Sequence, residues 1–381
     1  MTIPFPALNP PDRLLCGPGP SNVSPAALEA MQRPMLGHLD PDFHGILTET
    51  SAMLRTVFRT SENAVFALQS TGTSGMEAGI ASLLEPGDLA IVASCGYFGR
   101  RIAEIAWRHR AEVIEVEADW GEHVSNERLL DAVEAHPSAR LVAVVHAETS
   151  TGVEHPLAEL GAALRGTDTL LLADCVTSLG GVPLGFDAWG IDYAYSCTQK
   201  CLSAPPGMAP VALSGRALER IAARTTPVPF SLDLRLLERY WINRPPAYHH
   251  TAPILHIYAL HEALREVLRE GLPARWQRHE AAGRFLQSEL TERGLQLLAE
   301  PQQRLAPLTA VRVPDGVDGR RVQLRMLREH GIEIGGGLGP AAPAMWRIGL
   351  MGENARIEIA ERVLAALDQV LAGEPILSQV A

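Results

Sequence analysis

Between residues 64 and 213 the chain alternates short apolar runs with stretches whose apolar residues recur at helical spacing. The runs cover residues 64–68, 89–94, 112–116, 141–146, 170–174, 193–196 and 208–213. Most are apolar throughout, as strands buried on both faces are. Helix-like stretches separate them, among them 99–110 and 125–136, the second opening on Ser125 as an N-cap. Strand and helix repeated in this way predict an α/β fold with a mainly parallel central sheet flanked by helices. After residue 214 the pattern changes. Pro227, Pro229, Pro245, Pro246 and Pro253 predict loop and short helix, and Leu260, Leu264, Val267 and Leu268 then mark a helix stopped at Gly271. From 272 onward the pattern predicts two helices, strands near 308–313 and 345–350, and a final helix over 355–372. The expected division is an N-terminal arm (1–22), a large domain (23–271) and a smaller C-terminal α+β domain (272–381).

Ligands of parallel sheets sit beyond the carboxyl ends of the strands, and His146, Asp174 and the segment Ser196-Cys197-Thr198-Gln199-Lys200 fall at such ends. Asp174 read alone is a helix cap, and Lys200 read alone is a surface lysine. Read together they suggest more. A carboxylate can hold a pyridinium nitrogen protonated while an amine forms a Schiff base with the same ring's aldehyde, which is how proteins use pyridoxal phosphate (PLP). The uncharged stretch Cys201–Gly207 after the lysine is poor company for a surface loop, and a lysine kept from water loses proton affinity. Thr71, Gly72, Thr73 and Ser74 turn from a strand into a helix, where free N–H groups face an anion. That signal is weak alone and becomes a phosphate cradle beside Lys200. Arg347 is the only charge in a strand-like run and suits either a structural ion pair or a bound carboxylate. The glycines at 335–339, followed by Pro340, read as a flexible loop beside the pocket, without the strand–turn–helix context of a dinucleotide site.

Composition narrows the field further. The 381 residues are 46% hydrophobic, 20% charged and 5% aromatic, which describes a globular protein with an aliphatic core. A net charge of -11 argues against a nucleic-acid partner. Cys16, Cys95, Cys175, Cys197 and Cys201 show no CxxC spacing and read as reduced core residues. The histidines show no metal-ligand spacing, and no GxSxG is present, so neither a metal nor a serine nucleophile is expected. The first ten residues lack a leader's apolar segment, no run is long enough for a membrane span, and the last residues form no peroxisomal address; the expected location is the cytoplasm.

Together these segments resemble the alanine–glyoxylate and serine–pyruvate aminotransferases, a branch of the class V, fold-type I PLP enzymes. The resemblance runs from Gly17-Pro18-Gly19-Pro20-Ser21-Asn22 to Arg347-Ile348-Gly349. It rests on that opening, HAETSTG at 146–152, ADCVTSLGG at 173–181, TQKCLSAPPG at 198–207, YHHT at 248–251 and GGLGP at 336–340, all in family order. It implies a transaminase that moves an amino group from a small amino acid, alanine or serine, to a small 2-oxo acid, glyoxylate or pyruvate. Lys200 is implied as the lysine bonded to the PLP aldehyde and Asp174 as the partner of the ring nitrogen. Thr71, Gly72, Thr73 and Gln199 are implied at the phosphate, Thr149 beside the ring hydroxyl, and Val176 on one ring face. Phe98 falls where many relatives stack a tryptophan on the other face, with Tyr97 a neighbouring candidate. Tyr248 and Thr251 are implied to reach the phosphate of the other subunit, hence a homodimer with shared sites. Arg347 is implied to bind the substrate carboxylate, and Gly37, His38 and Asp40 to lie near the pocket. Alternatives are a lyase of the cysteine desulfurase-like branch, a donor such as a ureido-amino acid, and a binding module that keeps the fold. No cysteine after Cys201 counts against the first, and the complete Lys, Asp and Arg set against the last.

Overall fold

The computed structural model describes residues 5–61, 63–243, 247–372 and 374, with only the backbone of Pro340, Ala341 and Pro343. Arg244, Pro245, Pro246 and the terminal residues 1–4 and 375–381, on which part of the leader and address readings fall, lie outside the described residues. In chain order the strands are β1 (Leu14–Leu15), β2 (Ala64–Leu68), β3 (Leu89–Ser94), β4 (Glu112–Glu117), β5 (Ala139–Val145), β6 (Ala147–Glu148) and β7 (Val153–Glu154). They continue with β8 (Leu170–Asp174), β9 (Tyr193–Tyr195), β10 (Ala209–Leu213), β11 (Leu308–Arg312), β12 (Ile332–Glu333), β13 (Gly335–Gly336) and β14 (Met345–Gly349).

The central sheet has the order β2-β10-β9-β8-β5-β3-β4. Only β10 runs against its neighbours; the remaining pairs are parallel. β2, β5, β8, β9 and β10 are buried almost throughout, because helices cover both faces. The two edges differ: β2 is buried throughout, whereas β4 at the other edge reads Glu-Val-Ile-Glu-Val-Glu and stays half exposed, so burial on both faces does not extend to that edge. Ser125 caps the helix Asn126–Ala135 by accepting from the Arg128 N–H, as its sequence position predicts. The helix predicted from residue 99 begins instead at Tyr97.

A second core joins the helices Leu272–Glu292, Gly319–His330 and Ile357–Ala372 to the small sheet β11-β14-β13, with Leu286, Leu290, Trp346, Val363 and Leu367 fully buried. The glycine segment read as a flexible loop is different in structure. Gly335 and Gly336 form β13, antiparallel to β14, and Gly339–Ala344 is a 3-10 turn. The physical reason is close approach: a Cβ on Gly335 would strike the Pro18 ring. The N-terminal segment stitches the two parts together. β1 pairs with β12, Gly349 donates to the Cys16 carbonyl at 2.8 Å, and Ser21 donates its N–H to the Gln199 carbonyl at 2.8 Å.

Candidate active site

The carboxyl ends of β2, β3, β5, β8 and β9 open on one side of the sheet, and the residues just beyond them meet there. A cavity of about 340 Å³ is lined by Thr71, Gly72, Thr73, Phe98, Thr149, Asp174, Val176, Gln199 and Lys200, together with Gly19, Pro20, Met76, Cys197 and Pro206. Nine of the residues singled out from sequence thus share one wall. Asp174 ends β8, fully buried; one oxygen accepts from the Val176 N–H at 2.8 Å and the other from the Tyr195 hydroxyl at 2.6 Å. Burial pushes its carboxyl up to about 7, against the pull of those two hydrogen bonds. Lys200 follows β9, with its amine donating to the Pro18 carbonyl, and burial lowers its proton affinity. Burial therefore drives each group towards its neutral form, and their mutual attraction only partly offsets this.

The remaining wall is anchored from several elements. Thr71 caps the helix Gly72–Leu83 without a side-chain hydrogen bond; the Ser74 and Gly75 N–H groups donate to its carbonyl at 3.0 and 3.2 Å, and those of Gly72 and Thr73 are left for an anion. The Thr149 and Thr177 hydroxyls lie 2.9 Å apart. Phe98, not Tyr97, lines the cavity; Tyr97 turns its ring under the Arg101 guanidinium, 4.8 Å from its centroid. Arg347 is buried on β14, donating to the Gly336 carbonyl at 2.7 Å and to the Thr149 carbonyl at 3.2 Å. Among the described residues no carboxylate forms a salt bridge to it, and burial lowers its pKa to about 10.

The class-V aminotransferase family model matches residues 22–361. The chain belongs to that family. An alanine–glyoxylate aminotransferase of Drosophila melanogaster is 38% identical, with 95% of this chain and 93% of that protein aligned. The (S)-ureidoglycine–glyoxylate transaminase of Bacillus subtilis is also 38% identical over 95% of this chain and 91% of its own length. The crystal structure of an alanine–glyoxylate aminotransferase from Nostoc sp. superposes with a TM-score of 0.94 at 48% identity, covering 97% of this chain and 98% of that one. This class-V aminotransferase is a PLP-dependent transaminase of fold-type I.

The residues of the cavity fit that cofactor on their own chemistry. Asp174 lacks a cation in contact, and the Gln199 side-chain oxygen is buried without a partner. A protonated ring nitrogen and a phosphate arm would supply partners to the carboxylate and to the helix N-terminus respectively. Among the described residues no group of His, Cys, Asp and Glu is arranged to hold a metal, and no helix is long and apolar enough to cross a membrane. The five cysteines are unpaired and buried.

Three groups of sequence candidates do not line this cavity. Arg347 is one, facing a separate cleft with Gly336 and Gln323 and meeting the cavity wall through the Thr149 carbonyl. Tyr248 is 63% exposed, Thr251 is exposed, and the His38 ring packs on Tyr248 at 5.6 Å, so Gly37, His38 and Asp40 belong to that surface and do not line the cavity. Sequence reasoning also missed residues. Tyr195 pairs in register with Asp174 on the neighbouring strand, a contact that a lone tyrosine in an apolar run signals only faintly. Pro18 was legible only as part of a motif. Glu148, in the middle of HAETSTG, carried no signal of its own.

Proposed function

We propose that the chain transfers the amino group of a small amino acid, alanine or serine, to a small 2-oxo acid, glyoxylate or pyruvate. The observation that carries this reading is the convergence of the Lys200 amine, the Asp174 carboxylate and a helix N-terminus on one cavity, with Arg347 hydrogen-bonded to its Thr149 wall. When bound, PLP supplies an aldehyde that takes up the amino group and a ring that accepts electrons. Asp174 would hold a proton at the ring nitrogen, while Gly72, Thr73 and Gln199 would hold the phosphate. Val176 and Phe98, both on the cavity wall, would pack on the ring. Arg347, whose hydrogen bonds go to carbonyls alone, keeps donors for the substrate carboxylate. Lys200, with its lowered proton affinity, would take the proton from the substrate Cα and deliver it to the carbon of the former aldehyde, not back to Cα. Tyr248 and Thr251 would reach a second subunit's phosphate in a homodimer, and the proposed location is the cytoplasm. The arm (1–22), large (23–271) and small (272–381) domains belong to the same proposal.

Lys200→Ala is the direct test. It should abolish the near-visible absorbance gained on loading with PLP and cut turnover by several orders of magnitude; normal absorbance and turnover in the variant would overturn the assignment. Donor and acceptor follow from a half-reaction screen of amino acids and oxo acids. A ureido-amino acid donor is the second reading, favoured by the 38% identity to the B. subtilis ureidoglycine–glyoxylate transaminase. Faster half-reaction with a ureido-amino acid than with alanine or serine decides for it. The lyase reading is disfavoured because burial raises the Cys201 thiol to about 11 and the Cys197 thiol to about 12, leaving neither as a ready thiolate.

A further inference from the structure

Glu148 is fully buried at the end of β6, next to Thr149, yet it lines no part of the cavity. An isolated buried carboxylate is costly, so its partners describe its purpose. One oxygen accepts from the Phe98 N–H at 3.0 Å and the Gly99 N–H at 3.3 Å; the other accepts from the Ser150 N–H at 3.0 Å and hydroxyl at 2.6 Å. Burial pushes its carboxyl up, and every partner is a donor that works the other way, in favour of the ionised carboxylate. The Ser150 hydroxyl in turn accepts from the Tyr97 N–H at 2.8 Å. The helix Tyr97–Arg108 begins at Gly96, whose own side chain can offer no cap. Glu148 and Ser150 cap it from a distant strand, and the negative charge sits at the positive end of the helix dipole. A Cβ on Gly96 would lie 2.5 Å from both the Glu148 Cγ and the Ser150 Oγ, so glycine is what admits the cap. This also explains why the helix starts at Tyr97.

The consequences reach the site along two routes. Phe98 is the second residue of the capped helix, so Glu148 sets where its ring stands in the cavity wall. Arg347 donates to the carbonyl of Thr149, the residue after Glu148, and Glu148 is the charge that most favours its guanidinium. The carboxylate is tied up by its four donors and makes no salt bridge to Arg347. Its field offsets the buried cation without occupying the guanidinium N–H groups that the Gly336 and Thr149 carbonyls leave over.

We infer that Glu148 is a positioning residue for transamination: its carboxylate holds Phe98 against the cofactor cavity and tempers the affinity of Arg347 for carboxylates. This rests on the proposed role of Arg347. The test is calorimetric titration of the PLP-loaded protein with propionate, an unreactive carboxylate, alongside steady-state kinetics. Glu148→Gln keeps the shape and removes the charge; propionate should bind about tenfold more tightly, with KM and kcat both falling. Glu148→Asp keeps the charge and shortens the reach; propionate affinity should stay within about twofold while kcat falls about tenfold. A merely structural role would leave propionate affinity unchanged or weaken it in both variants. Arg347→Ala in the otherwise native chain separates the two ideas. If it leaves propionate binding intact, the role of Arg347 is wrong; if it abolishes binding while Glu148→Gln changes neither affinity nor kcat, the role of Glu148 is wrong. Should Glu148→Gln fail to fold, unchanged kcat in Glu148→Asp overturns the inference by itself.

Discussion

Replacing Asp174 by asparagine should stabilise the cofactor-free protein while crippling the enzyme. Asp174 is 2% exposed, and its two hydrogen bonds do not offset burial, which lifts its pKa from the ordinary 3.8 to about 7. Between those values the folded chain binds more protons than the unfolded one, so this group's contribution to stability falls as pH rises. Each pKa unit is worth about 1.4 kcal/mol. Ionising Asp174 therefore costs the cofactor-free fold about 2 kcal/mol at pH 5 and about 4 kcal/mol at pH 8. Asparagine has nothing to ionise, and it keeps a carbonyl for the Val176 N–H and an amide facing the Tyr195 hydroxyl. In urea unfolding without PLP, Asp174→Asn should exceed the native chain by about those amounts at the two pH values. With PLP bound the order should narrow or reverse, because only the carboxylate pairs with a ring cation. Turnover should fall by about 10²–10³-fold. A stability difference equal at pH 5 and pH 8, or a variant less stable at pH 8, would refute the reasoning.

Two further outcomes follow from neighbouring contacts. Tyr195→Phe removes the hydroxyl that lowers the Asp174 pKa, a charged hydrogen bond worth about 1.5–3 kcal/mol. Affinity for PLP should rise with pH about one to two units later than in the native chain, checked by titrating the cofactor across pH 5–9; an unshifted profile counts against the contact. Arg275 is 2% exposed, donating to Glu270 at 2.7 Å and to the carbonyl of Cys201, the residue after Lys200, at 2.5 Å. Arg275→Ala should cost about 3 kcal/mol in urea unfolding, because Glu270 keeps Arg278 but the Cys201 carbonyl loses its donor. A loss below about 1 kcal/mol would show that the pair is expendable.

Much of the architecture can be read in the chain because it is written in local periodicity. Residues 64–68, 89–94 and 170–174 become strands with the expected bounds, since continuous apolar runs can only be satisfied between two layers of helix. Asp174 and Lys200 stand out for a related reason: a charge at the end of such a run is placed at the sheet's carboxyl edge by the strand itself. Arg347 is legible as a lone charge within an apolar strand. The exception at β4 is instructive, because whether a strand lies at the centre or the edge depends on its neighbours and not on its own residues.

What only the tertiary structure decides is which distant atoms meet. Tyr195 reaches Asp174 across paired strands, Pro18 accepts from Lys200 over 182 positions, Arg275 holds the Cys201 carbonyl over 74, and Glu148 caps a helix 50 residues before it. Spacing along the chain carries no record of these contacts, because helix and strand periods describe only one element at a time. The same holds for the glycines at 335 and 336, whose role is close approach rather than looseness. Residue types and local order establish the chemistry available to this aminotransferase. Packing at the sheet's carboxyl edge sets the charge state and orientation in which that chemistry is held, because burial and donor geometry exist only once separate elements are brought together.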